Sequence, residues 1–494
     1  MKTFKFIYLL LLAGLFAGCK KYLDLPPKNQ RAVESLQDIK SVLAGYLDGV
    51  KTKNIKPIVG AFPLFTEQQV MMFEAYSDNI DFPNGMSHYL NTQNIHAKEI
   101  FYADMLLWNQ YDAPTAIWTK YYETIGFLNA LIDQTATLTD GTPDERDRVM
   151  GEMLVHRAFY FFKLLQYFAP YNKADLGIPV YLHSGDEVVG VPMPRKPQAE
   201  VYKVITDDLK QALTLAERSE PRGNFNVFYN ARYINNLLAQ VYWFKAESAA
   251  KESSDYTHAK QYSTAAVNGV ETMIPATTAD FNLAAQGKML TYPAFYQTGN
   301  TYSGISAIYG STWDYLGFEP KGIPVAADLL NLFSSNDIRK AAYFTGNNLS
   351  SAWPDGAGFG SKYVHFYLFQ PEEAYLVLAE AQFRLGETGD CITTLNKFKS
   401  FRNAGDANGL SGNQLLQEIV NERRKEFFAA GDKRWLDLKR YGGVTISRTL
   451  RFFNKDYTVS AAPNDYHYAL PIPLTEIQQN PHIIPNEGWV PIVY

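Results

Sequence analysis

PEEAYLVLAEAQFRLGETGDCITTLNKFKSFRNAG, residues 371–405, and NERRKEFFAAGDKRWLDLKRYG, residues 421–442, are the stretches on which the reading of this chain turns. Pro371 can open a helix, because its ring presets φ and the first helical position has no use for the missing N–H. Glu372 and Glu373 put negative charge at the positive end of the helix dipole. Ala374, Leu378, Ala381 and Leu385 then recur at helical spacing and predict one apolar face. Gly386 ends the run, Gly389-Asp390 turns the chain, and a second helix is expected from about Cys391, with Ile392, Leu395 and Phe398 inward. The later stretch reads as one charged helix bearing Phe427, Phe428, Trp435, Leu436 and Leu438. On it Glu422 faces Glu426, Arg423 shares a face with Phe427, and Lys433 and Asp437 form an i,i+4 pair. Arg423, Arg424, Glu426, Arg434 and Asp437 are expected to form a partly buried ion-pair network that locks helices to the C-terminal tail, not an anion site.

Upstream, the helical period recurs. Helices are predicted at about Ser35–Val50, with Ile39, Val42, Leu43, Tyr46 and Leu47 on one face, and at Ala116–Gln134 with Trp118 inward. Thr142-Pro143-Asp144-Glu145 is a capping box with Pro at the first helical position. It opens a helix in which Met150, Leu154, Ala158, Phe161, Leu165 and Phe168 keep helical spacing until Pro170. Three more helices are expected at about Ala199–Glu217, Ala231–Ala250 and Asp255–Asn268, the last two as a pair. Two segments break the pattern. From Lys51 to Pro114 turn residues alternate with Phe73, Tyr76, Tyr89 and Trp108; from Glu271 to Gln370 they alternate with Tyr292, Tyr302, Trp313 and Tyr315. Long irregular segments set into a regular scaffold are often functional. After Gly442-Gly443 the Pro-rich tail is expected to run mostly extended and to wrap the helical body.

The N-terminus carries a targeting signal. Lys2 and Lys5 precede an apolar run, Ile7–Phe16, that is too short for a permanent span. Ala17-Gly18-Cys19 then matches a lipobox: residues 1–18 are expected to be removed and Cys19 acylated, anchoring the chain to a membrane. Cys391 then has no disulfide partner and reads as a small buried hydrophobe. The 494 residues are 46% hydrophobic, enough for a large core, and 20% charged. A net charge of −5 gives no electrostatic reason to bind nucleic acid. With 33 Tyr, 31 Phe and 7 Trp, the chain has aromatic rings beyond those a core needs, a composition consistent with stacking platforms for sugars.

Catalytic signatures are missing: there is no HExxH, GxSxG, GxxxxGK[ST] or CxxC. The eight His residues show no tight ligand spacing, so neither a metal nor another cofactor is expected. What remains is the aromatic segments. A pyranose needs a flat apolar face for its C–H side and carboxylate or amide groups for its hydroxyls. Asp78, Asn79, Tyr89 and Trp108 in the first segment, and Tyr292, Tyr302, Trp313 and Tyr315 in the second, supply these types and are the candidate ligand-binding residues.

The two short helices of residues 371–405, with small residues where they cross, resemble a tetratricopeptide unit. Taken with CKKYLDL from Cys19, the ERRKEFFAAGDKRWLDLKRYG block and YALPIPLTEIQQNP at Tyr468–Pro481, the chain resembles the SusD/RagB family of surface lipoproteins. The resemblance covers essentially the whole mature chain. It implies an all-α, SusD-like fold: tetratricopeptide-type helix pairs as a scaffold, two large loop-rich excursions, and an extended C-terminal tail. A single such domain is expected over residues 19–494, with an N-terminal helical part (19–270), a second excursion (271–370) and a C-terminal part (371–494). The family further implies a non-enzymatic lid on the outer face of the outer membrane. That lid holds an oligosaccharide, or a peptide in some members, for a SusC-like TonB-dependent transporter. Lys20-Lys21 follows the lipidated Cys where an acidic run is expected, so outward placement rests on the family alone. A peptide-capturing lid, a helical adaptor with only protein partners and a surface glycoside hydrolase are the alternatives.

Overall fold

The computed structural model describes residues 33–51, 72–81, 97–185, 190–218, 229–270, 296–299, 325–346, 348–349, 364–367, 371–428, 430–452 and 455–494. Helices dominate. In chain order they are α1 (Leu36–Lys51), α2 (Ala97–Leu106), α3 (Asp112–Thr137), α4 (Pro143–Phe168), α5 (Gln198–Arg218), α6 (Ala231–Lys245) and α7 (Asp255–Val267). After the short α8 (Ala327–Leu330) and α9 (Ile338–Tyr343) come α10 (Pro371–Arg384), α11 (Thr388–Arg402), α12 (Gly412–Glu426) and α13 (Lys433–Tyr441). Apart from the charged block, the predicted helices are present, within a few residues of their expected ends except α3 and α6, which differ by up to five.

Each long helix packs on the next: α3 on α4, α4 on α5, α5 on α6, α6 on α7, α7 on α10, and α10 on α11 and α12. The second excursion is therefore an insertion. The chain leaves the stack after α7 and re-enters it at α10, which lies against α7 as if nothing intervened. Tyr375 Oη and Lys397 Nζ both donate to the carbonyl of Val270, at 3.2 and 3.1 Å, where the excursion departs.

The helix α4 starts as its capping box demands. Thr142 Oγ1 accepts from the Glu145 N–H at 3.2 Å, and the Glu145 carboxylate accepts from the Thr142 N–H at 3.1 Å. Its apolar spacing predicts one inward face, but the structure buries it nearly all round from Gly151 to Phe168. A helix covered on every side must satisfy its polar residues inside the protein. Arg157 makes a two-pronged pair with Asp208 at 2.8 and 2.7 Å, and Lys163 donates to Asp432 at 2.6 Å. Gly151 is required by packing, since a Cβ there would lie 2.1 Å from the ring of Tyr229. Trp118 and Cys391 are buried, as expected. On α10, Ala374, Leu378 and Ala381 face inward but Leu385 is exposed.

The charged block is not one helix. It breaks between α12 and α13, where Gly431 takes φ +70, a left-handed conformation open to glycine. The break reorients Lys433, which pairs with Glu373 at 2.7 Å rather than with Asp437. The tail does wrap the body, but it is less extended than its prolines predict. It begins with an antiparallel hairpin of β5 (Ile446–Phe452) and β6 (Lys455–Ala461), the earlier strands β1–β4 being Tyr296–Gly299, Phe344–Thr345, Asn348–Leu349 and Val364–Tyr367. A 3-10 turn at Tyr466–Tyr468 and a short helix, α14 (Leu474–Gln479), follow.

Candidate ligand-binding face

The two aromatic segments are joined at their roots. Ile80 forms an antiparallel bridge with Val325, and the Ala326 N–H donates to the Asn79 carbonyl at 2.9 Å. The described chain thus reaches residue 81, before the segment holding Tyr89, beside the point where it resumes after the segment holding Tyr302, Trp313 and Tyr315. Tyr89, Tyr292, Tyr302, Trp313, Tyr315 and Cys19, the residue expected to be acylated, lie outside the described residues.

Basic side chains far along the sequence fix this junction. Arg434 on α13 holds the Asp78 carboxylate with two bonds of 2.6 and 2.7 Å. Arg424 on α12 reaches Asn79 Oδ1 at 3.0 Å, the Asp78 carbonyl at 2.8 Å and, across the bridge, Asp328 at 2.7 Å. Burial pushes the Asp78 carboxyl up, but Arg434, seconded by Arg424, outweighs it and keeps the group below its ordinary range. Arg448 on β5 donates to the carbonyls of Ala75, Leu106 and Ser77. The block therefore locks its helices chiefly to the first excursion and to residues 325–346, a correction to the expectation that it locks them to the tail.

Behind the junction lies the rest of the ion-pair network. Arg339 on α9 pairs with Asp337, Glu422 and Glu426 at 2.7, 2.5 and 2.7 Å. Glu426 also accepts from Arg402 at 2.6 Å, and Arg423 joins Glu373 to Asp437 at 2.8 and 3.0 Å. Burial opposes ionisation of Glu373 and Glu422, yet the cations around them pull both carboxyls down to about 2. Glu372 goes the other way: burial, which Arg402 only partly offsets, raises it to about 7. Among the described residues no group of three or more His, Cys, Asp or Glu side chains is arranged to hold a metal.

The candidate residues within the described chain turn out to be framework. Asn79 is fully buried and serves Arg424. Asp78 is taken up by Arg434 and Arg424. Trp108 is 3% exposed; its ring stacks on Tyr76 at 4.9 Å, and the Arg448 guanidinium lies 4.6 Å from its centroid. Both are covering contacts, so Trp108 offers no open platform to a sugar. It also holds φ +53, an uncommon conformation for a bulky residue, and this strain falls next to the junction. Sequence reasoning missed Arg448 and the Val325–Asp328 segment. Arg448 stands in a plain strand pattern, ISRTLRF, and no local signal marks its role.

Comparison with known proteins agrees with this architecture. A family model described as starch-binding, associating with the outer membrane, matches residues 21–242, and the SusD family model matches residues 354–489. The starch-binding protein SusD of Bacteroides thetaiotaomicron is 32% identical over 124 residues, 25% of this chain and 21% of that protein. A SusD-like protein of Formosa agariphila is 25% identical over 191 residues, covering 35% of each. The chain thus spans about a fifth and a third of the lengths of these relatives. A SusD-like carbohydrate-binding protein of Bacteroides vulgatus superposes with a TM-score of 0.67 at 18% identity, over 91% of this chain and 97% of its own. A SusD superfamily protein of Bacteroides thetaiotaomicron does so with a TM-score of 0.67 at 19% identity, over 92% of this chain and 100% of its own. With both halves matched by models of one family and with that family's fold, the chain belongs to the SusD/RagB family.

Proposed function

We propose that this protein is a non-enzymatic glycan-capturing lipoprotein of the outer-membrane surface, anchored through Cys19, that passes its ligand to a SusC-like TonB-dependent transporter. The observation that carries the reading is the Ile80–Val325 bridge, which roots the two aromatic segments side by side. A binder of a large, hydrated ligand needs platforms on a rigid base. Here that base is the helix stack, and Arg424, Arg434 and Arg448 hold the roots to it. Similar proteins described as starch-binding and carbohydrate-binding point the same way. Tyr89, Tyr292, Tyr302, Trp313 and Tyr315 are the proposed contact residues, with Asp78, Asn79 and Trp108 as their support.

Calorimetry on the soluble chain starting at Lys20, against panels of polysaccharides and peptides, tests this. Binding of a glycan that weakens by about 1–3 kcal/mol in Trp313→Ala or Tyr89→Ala, the scale of a lost stacking platform, supports both function and site. Unchanged glycan binding in both variants discards the site. Binding of peptides alone replaces the glycan with a peptide, and release of shortened sugars identifies an enzyme.

A further inference from the structure

The end of α4 is covered by two buried cations that, among the described residues, have no carboxylate. Arg195 spends all its donors on neutral oxygens: the carbonyls of Gly177, Ile484, Phe168 and Leu176 at 2.7–3.0 Å, and Asn486 Oδ1 at 2.8 Å. Lys439 on α13 donates to the carbonyls of Gln166 and Ala169 at 2.6 and 2.7 Å and has a third proton to give. Elsewhere buried lysines are matched: Lys163 meets Asp432, and Lys245 meets Asp255. The helix dipole at the end of α4 supplies only about half a negative charge against these two.

Lys439 does not sit in closed core. It forms part of the wall of a cavity of about 270 Å³ between the end of α4 and the tail. Asn172, Asn464, Asp465 and Tyr466 also line it. Two acids, Asp465 and Glu487, line this cavity. Asp465 Oδ1 is 3.0 Å from His467 Nδ1, and the exposed Glu487 is 3.6 Å from Lys173 Nζ. Tyr466 is 39% exposed and its ring stacks on His467. Gly488, at φ +93, lets the tail run across that ring, because a Cβ there would come within 2.5 Å of it.

We propose that this cleft binds the carboxylate-bearing unit of an acidic sugar, a hexuronic acid, with Lys439 meeting the carboxylate. Asp465, Asn172 and Asn464 then serve the ring hydroxyls, and Tyr466 forms an apolar wall. The proposal rests on the reading of the protein as a glycan binder and adds a site apart from the aromatic segments. Burial, helped by the like charge of Arg195, holds the Lys439 ammonium well below the ordinary lysine range. A carboxylate arriving beside it favours the charged form. Two lysines line the cavity: the exposed Lys173, which pairs with Glu487, and the buried Lys439, whose bonds go to carbonyls.

Calorimetry of the mature chain with oligogalacturonate, maltooligosaccharide and acetate tests it. Expected are binding of oligogalacturonate, weakening by about tenfold or more in Tyr466→Ala and Lys439→Met, and no binding of acetate. Maltooligosaccharide binding without oligogalacturonate binding overturns this site and leaves the glycan reading intact. Failure of both sugars removes both. Oligogalacturonate binding that Tyr466→Ala leaves unchanged also overturns the proposal. Tyr466 is a surface residue, so its variant carries the test even if Lys439→Met does not fold.

Discussion

Two clusters of buried basic side chains hold this molecule together, and they are balanced in opposite ways. Around α12, Arg339, Arg402 and Arg423 each meet at least two carboxylates within 3.1 Å. At the end of α4, Arg195 and Lys439 meet only carbonyl and amide oxygens. The first arrangement is costly to break from either side, because removing one partner strands the other without water. The second strands only neutral oxygens, and it leaves positive charge unspent where a cavity opens. One cluster is a lock; the other has capacity for a ligand.

The comparison can be broken most sharply at Arg339. Arg339→Met leaves Asp337, Glu422 and Glu426 without their shared cation and is expected to cost about 3–5 kcal/mol, read as a large fall in the denaturation midpoint. A loss under about 1 kcal/mol would mean that the cluster around α12 is no lock. Acid probes the same cluster without mutation. Glu373 and Glu422 fall from 4.5 to about 2 on folding, so the unfolded chain binds more protons between those values. The stability they contribute is fully present above pH 4.5 and is lost as pH drops toward 2, measurable as a steep decline in the midpoint over that window.

Lys439→Met should cost less, about 1–3 kcal/mol, since only the Gln166 and Ala169 carbonyls lose a donor. Its pH signature has the opposite origin. The folded ammonium is held below the usual lysine value, so the unfolded chain binds more protons in the alkaline range. Stability therefore gains a component that rises with pH there, and the variant should lack it. Smallest is Thr142→Ala, which removes the α4 cap for about 1 kcal/mol and touches neither cluster. An effect on it as large as at Lys439 would show that α4 depends on its start as much as on its covered end.

Much of the scaffold was legible because its signals are local. The TPDE box, the apolar spacing on α10 and the turn at Gly386 each act within one or two helical turns. The break at Gly431 was less so, since an isolated glycine inside a helical pattern is tolerated at a cost of only about 1 kcal/mol. Trp108 was misjudged for a different reason. Whether an aromatic ring is platform or core depends on what covers it, and its covers are Tyr76 and Arg448, the latter on the far tail. The cleft at the end of α4 had no local trace either: Asn172, Lys439, Asp465 and Gly488 meet only in the folded chain. Charge pattern announced the α12 network, but not which segments it would fasten.

The direct contact of α7 with α10 has an evolutionary reading. Residues 271–370 lie in sequence between α7 and α10, which pack on each other, and Tyr375 and Lys397 grip the carbonyl of Val270 just after α7. The entropy of closing a chain grows only logarithmically with its length, so doubling such a segment costs about 0.6 kcal/mol. Descendants of this protein can therefore change the length of that segment at little cost, so long as residues 325–346, with Arg339 in the lock, are kept.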